Sequence, residues 1–105
     1  MIVGNISFFA ENSSRIILKE DGSTERLMNK SMKLLVLLSS KIGSVFTREY
    51  ILKSIWGSDD DDALCYGRSM DVFITHLRNA LKETNVSIVN VKGVGYKLQI
   101  NQINN

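Results

Sequence analysis

Apolar residues follow two rhythms along this chain. Residues 4–9 alternate, with Ile6 and Phe8 set against Asn5 and Ser7, the period-two pattern of a half-buried strand. After the turn cluster Asn12-Ser13-Ser14, residues 15–19 form a second β-rich run carrying Ile16, Ile17 and Leu18. Glu20-Asp21-Gly22-Ser23 predicts a tight hairpin, because Asp-Gly supplies the positive φ angles of a primed turn, and residues 24–27 return as a third strand. Together these runs predict an antiparallel sheet over residues 4–27, short enough to need something packed on one face.

The rhythm then lengthens. Residues 29–41 read as a helix with Asn29 as N-cap. Met32, Leu35, Val36 and Ser39 share one face, and Leu34, Leu37 and Leu38 widen it. Gly43 is its stop signal, and Val45-Phe46 is a brief extended piece. Thr47 caps a second helix over 48–56, with Glu49 suiting the dipole of its first turn. Tyr50, Ile51, Ile55 and Trp56 are its expected core residues, and Gly57 closes it. A third helix runs over 68–83, where Met70, Ile74, Leu77 and Leu81 recur at i, i+4, i+7 and i+11. Residues 86–91 and 95–100 alternate as two strands about a turn at 92–94, and 102–105 is a polar tail. The order predicts a single α+β domain: antiparallel sheet, three helices, C-terminal β-hairpin.

Composition narrows the class. At 105 residues, 44% hydrophobic and 23% charged, the chain can bury one modest core and gives no case for disorder. Its net charge is +2, but four of its acids form one run, Asp59, Asp60, Asp61 and Asp62. Without that run thirteen basic residues face seven acidic ones, so the chain reads as a basic body carrying one acidic loop. A lone cysteine, Cys65, closes no intrachain disulfide and suits a reducing compartment. One Cys and one His exclude a zinc finger, and the adjacent aspartates lack the spacing of a calcium-binding hand. No apolar run approaches the roughly twenty residues of a membrane span, and the first ten residues do not resemble a signal peptide, so a cytoplasmic setting is expected. With no proline, every turn rests on Gly, Asn, Asp and Ser.

The candidate chemistry lies opposite the core stripe of the third helix. Arg68, Val72, Thr75, His76, Asn79 and Lys82 fall on that outer face. These types match a DNA major groove: Arg forks onto guanine, Asn onto adenine, and Val or Thr methyls meet the thymine methyl. A plain solvated face is the other reading. The hairpin tip carries Lys92, a cation able to reach a phosphate or enter a minor groove, and Asn90, Tyr96 and Lys97 could add backbone contacts. Gly93 and Gly95 could equally serve only the turn, and Tyr96 only the packing.

Trp56-Gly57, the run from Gly67-Arg68-Ser69-Met70 through His76-Leu77-Arg78-Asn79-Ala80-Leu81, and Ile88-Val89-Asn90-Val91-Lys92-Gly93-Val94-Gly95-Tyr96 closely resemble the OmpR/PhoB-type effector domain of bacterial two-component response regulators. Residues 27–38 and 43–49 fit it as well. The resemblance implies a winged helix-turn-helix with a four-stranded N-terminal sheet, its third helix in the major groove of double-stranded DNA and its wing in the adjacent minor groove. By position, Arg68, Phe73, Thr75, His76 and Arg78 match residues that touch phosphates or bases. Lys92 matches a minor-groove arginine, Asn90 and Tyr96 match backbone contacts, and Trp56 lies near the DNA backbone. Asp71 matches a structural acid, paired with Arg78 or Arg48. Asp59 to Asp62 occupy the loop that in some members contacts RNA polymerase or its sigma subunit; a solvated loop repelled by DNA is the alternative.

Departures from the family pattern are specific. Phe73 stands where a polar residue is usual, Thr75 and His76 replace basic or long polar residues, and Lys92 is a point charge where arginine offers a fork. Met28 replaces the usual Thr and Ser31 the usual Glu at the start of the first helix, which moves the expected cap to Asn29. Nothing in the chain resembles the phosphorylated receiver half, so an effector fragment is expected, monomeric alone and bound as a head-to-tail tandem dimer on DNA, with a standalone or differently sensored protein as the alternative. A winged-helix protein-interaction module without DNA binding remains the competing reading, motivated by the small net charge, the acidic run and Phe73. An enzyme is not expected: Gly93-Val94-Gly95 lies between strands with no helix to complete an anion site, and His76 has no evident nucleophile partner. Neither cofactor nor metal is implied.

Overall fold

The computed structural model describes residues 2–8, 15–57 and 66–101, with side chains from residue 70 onward in the last segment. Strands β1 (Ile2–Val3), β2 (Ile6–Phe8), β3 (Ile16–Lys19) and β4 (Thr24–Arg26) form an antiparallel sheet in sequence order. Helices α1 (Asn29–Ser39), α2 (Arg48–Trp56) and α3 (Tyr66–Ala80) follow, with the short strand β5 (Phe46–Thr47) leading into α2. Strands β6 (Val86–Val91) and β7 (Gly95–Ile100) close the chain, and β7 pairs with both β6 and β5. The expected α+β winged-helix architecture is therefore present.

Several boundaries differ from expectation for physical reasons. The strand predicted over 4–9 is broken by a turn, because Gly4 adopts φ +56° and the side chain of Asn85 occupies the space a Cβ would need. Asn5 and Asn85 hold that turn by exchanging side-chain oxygens for backbone N–H groups, at 2.9 and 3.0 Å. The β3–β4 hairpin is not a two-residue primed turn. Gly22 N–H donates to the Lys19 carbonyl at 3.0 Å, Lys19 N–H donates to the Ser23 carbonyl at 2.8 Å, and only Gly22 in that loop has positive φ. This is a three-residue loop with glycine at the left-handed position. Asp21 accepts from both Ser23 N–H and Ser23 Oγ, and these bonds hold its carboxyl below the ordinary carboxylate range.

Helix α1 begins after Met28, not after an Asn29 cap, and the Met28 side chain makes no capping bond. It ends at Ser39, where Ser40 N–H and Oγ both donate to the Leu37 carbonyl; Gly43 shapes the following turn. Thr47 caps α2 as expected, its side chain accepting from Tyr50 N–H at 3.1 Å. Tyr50 is not a core residue: it is half exposed, its ring against Phe46. Helix α3 spans 66–80, with a turn closing at Thr84 instead of helix continuing to 83.

One core cluster joins both sheets and all three helices. Met70, Ile74, Leu77 and Leu81 are buried as their spacing predicts, packed with Phe8, Ile17, Leu34, Leu35, Leu38, Ile51 and Leu98. Burying such side chains stabilises by about 1.5–3 kcal/mol each, so the core stripe fixes which face of α3 turns outward. Among the described residues no helix is long and apolar enough to cross a membrane.

Candidate nucleic-acid interface

Burial of the Met70 stripe leaves Val72, Thr75 and Asn79 exposed on α3, with Val72 60% accessible. Lys82 is exposed just beyond the helix. The side chain of Arg68 lies outside the described residues, as does the whole run Asp59 to Asp62. His76 is half-buried, its Nε2 accepting from Met28 N–H at 3.4 Å. Between residues 70 and 80 the charged groups are Asp71 and Arg78, and both are engaged. The outward face offers a methyl-bearing side chain, a hydroxyl, an imidazole and an amide, beside the exposed Arg78, whose charge a carbonyl partner leaves intact.

Three expected contact residues also take part in the domain's own packing. Arg78 donates through Nε and Nη2 to the Ile88 carbonyl, at 3.2 and 3.1 Å, tying α3 to β6. Tyr96 is 4% exposed, with its hydroxyl as the polar end of a packed ring. Phe73 is half-buried instead of exposed, its ring 5.9 Å from that of Trp56. Its backbone carbonyl accepts from the buried Ser31 hydroxyl. Trp56 is also half-buried, with the Lys30 ammonium 5.6 Å from its ring centroid. The same ammonium donates to the Ile55 carbonyl and so closes the C-terminus of α2 with a cation.

Asp71 pairs with Arg48, one of the two expected partners, and the cluster has a third member that spacing does not reveal. Arg48 Nη1 donates to Asp71 Oδ1 at 3.1 Å and to the Tyr96 hydroxyl at 2.9 Å, and that hydroxyl lies 3.2 Å from Asp71 Oδ1. Burial alone would weaken the Arg48 charge, but the bond to Asp71 and the Tyr96 contact hold its ionisation above the ordinary arginine value. Burial pushes the Tyr96 hydroxyl up; Asp71 adds to this and Arg48 opposes it. The cluster joins the start of α2, the second turn of α3 and the β7 strand beside the hairpin tip.

The hairpin tip is a tight turn. Val94 N–H donates to the Val91 carbonyl at 2.9 Å, and Gly93 takes φ +77° at the third turn position, the type II requirement. Lys92 and Asn90 are exposed, and Lys97 is half-buried. Gly95 serves a purpose separate from the turn. A Cβ there would overlap the Phe46 carbonyl, so its bareness lets β5 approach β7. Arg48 N–H also donates to the Val94 carbonyl at 3.4 Å. The hairpin is therefore tied to the start of α2 by backbone and to α3 through the Arg48 side chain.

Comparison with known proteins agrees with this geometry. The family profile described as "Transcriptional regulatory protein, C terminal" matches residues 22–98. The heme response regulator HssR of Staphylococcus aureus is 37% identical over 101 residues, covering 94% of this chain and 42% of that protein. The chain thus spans less than half the length of the curated relatives it matches. Among solved structures, the DNA-binding domain of Bacillus subtilis CssR superposes with TM-score 0.69 at 28% identity, over 88% of this chain and 99% of that one. The Klebsiella pneumoniae RstA DNA-binding domain, solved with RstA box DNA, has the same fold at TM-score 0.71 and 24% identity, over 94% and 95%.

Proposed function

Because this chain belongs to the family of C-terminal, OmpR/PhoB-type domains of transcriptional regulatory proteins, we propose that it binds double-stranded DNA sequence-specifically as the effector domain of a two-component response regulator. Helix α3 enters the major groove, where Val72, Thr75, His76 and Asn79 meet base edges and Arg68 a phosphate or guanine. Lys92 enters the adjacent minor groove, and Asn90 and Trp56 lie against the backbone. Phe73, Arg78 and Tyr96 support this face by holding α2, the reading helix and the wing together, and the exposed Arg78 keeps N–H groups beyond those bonded to Ile88 for the duplex. The observation that carries the reading is the exposed, mostly uncharged polar face of α3 opposite a buried stripe, beside a wing fixed to it through Arg48 and Asp71. That face suits base reading more than phosphate grip.

In this reading the partner is duplex DNA in the cytoplasm. The domain is monomeric alone and pairs head to tail on repeated half-sites. The acidic run Asp59 to Asp62 meets a basic surface of RNA polymerase or its sigma subunit. The competing interaction-module reading drew on an exposed Phe73, and that residue is half-buried against Trp56. The family is one of transcription regulators, not of enzymes.

Selection from a random duplex pool, followed by affinity measurements across salt, tests the proposal. For about six phosphate contacts, log affinity falls with log salt at a slope of about −5. Lys92→Ala weakens all sequences alike, whereas Asn79→Ala changes the preferred bases. A flat salt response with no enriched sequence would contradict the assignment.

A further inference from the structure

Helix α1 lacks both halves of an ordinary N-terminal cap. Met28 at the cap position makes no side-chain bond, and no acid occupies the first turn. The third helical residue, Ser31, from which a capping-box acid would reach back to the cap N–H, donates instead to the Phe73 carbonyl. The Met28 N–H is taken by His76 Nε2, reaching across from α3. A nitrogen that accepts must carry a lone pair, so this contact requires the neutral imidazole with its proton on Nδ1.

We propose that DNA binding by this domain is coupled to a proton through His76. In the free protein the Nε2 lone pair holds the Met28 amide. On the duplex the ring takes one proton from solvent, releases that amide and donates to a base-edge acceptor in the major groove, within the field of the flanking phosphates. The exchange is cheap because the bond given up is long, at 3.4 Å, and exposed.

No carboxylate among the described residues pairs with His76 to hold the imidazolium without DNA. On α3, Asp71 is paired with Arg48 and Arg78 is bonded to the Ile88 carbonyl. On α2, Glu49 pairs with Lys53. On α1 the charged residues are the cations Lys30 and Lys33, and β6 has none. On β4, leading into Met28, Glu25 pairs with Lys19, and Arg26 is a further cation. DNA phosphate is the anion that reverses this balance. His76 is the chain's only histidine, so no second imidazole can supply the same linkage.

This inference rests on the DNA-binding reading, and calorimetry separates the two. The chain is titrated with its selected duplex near pH 6.5 in buffers of different ionisation enthalpy. The imidazole resonances of His76 are followed by NMR in the free and bound states. Binding should take up a substantial fraction of one proton, and affinity should rise about threefold or more from pH 7.5 to 5.5, the range in which imidazole changes charge. His76→Gln, whose amide oxygen can still accept from Met28, should bind with neither uptake nor that pH dependence. Tight binding without proton uptake, or full uptake retained in His76→Gln, overturns the proton coupling while leaving DNA binding intact. The NMR titration decides the matter even if the variant folds poorly. Failure of the unaltered chain to bind any duplex overturns both.

Discussion

Asp71 is 63% exposed in its side chain and still sets the position of two elements, because its partner Arg48 is shared with Tyr96. An ion pair this open contributes little by direct attraction. Its value lies in orienting one guanidinium toward both α3 and the wing. Asp71→Ala should therefore cost about 1 kcal/mol or less of stability in urea titration. It should weaken DNA binding by more than that small loss explains, because the wing and the reading helix lose their common reference. Tyr96 makes a separate prediction. Burial disfavours its phenolate in the folded state, so the unfolded chain ionises first as pH rises through the ordinary value of 10.0. Stability should hold below that pH and fall above it. Urea midpoints at pH 8 and pH 10.5 should separate more in the unaltered chain than in Tyr96→Phe.

The wing sheet depends on a close approach between elements far apart in sequence. Phe46 pairs with Tyr96 and Thr47 with Gly95, and the Phe46 backbone fills the space beside the Gly95 α-carbon. Gly95→Ala should cost about 2 kcal/mol or more, since backbone and not a flexible side chain must move. Gly93→Ala meets open space and only left-handed strain, about 1 kcal/mol. Equal thermal shifts for the two would refute this distinction. In the core stripe, Leu77→Ala should cost about 2–5 kcal/mol. That stripe was legible because four residues repeat at helical spacing with nothing to contradict them. The extended piece at Val45-Phe46 was legible too, but its place as the third strand of the wing sheet was not, because two residues carry no period and their partners lie some fifty positions away. The Gly4 break, the half exposure of Tyr50 and the uncapped Met28 were equally hidden, since each depends on what a distant residue supplies.

For the whole molecule, charge and shape divide the work. Counting residues suggests a basic body, yet the described outer face of α3 sets a single cation, Arg78, among uncharged groups, and the exposed Lys82 and Lys92 lie just beyond the helix and on the wing. The nomination of Val72, Thr75 and Asn79 as outward residues followed from periodicity, whereas the engagement of Arg78 by Ile88 and the half-burial of Phe73 required the fold. In the proposed complex, Lys92 and the flanking cations supply grip and the centre of the α3 face supplies discrimination. Backbone amide shifts recorded as the chain is titrated with its selected duplex test this most directly. The account predicts the largest changes along residues 72–79 and at the turn 92–94, with the exposed outer side of β1–β3 unmoved. Changes centred on that sheet or on the α1–β5 side, with 72–79 and 92–94 silent, would contradict it.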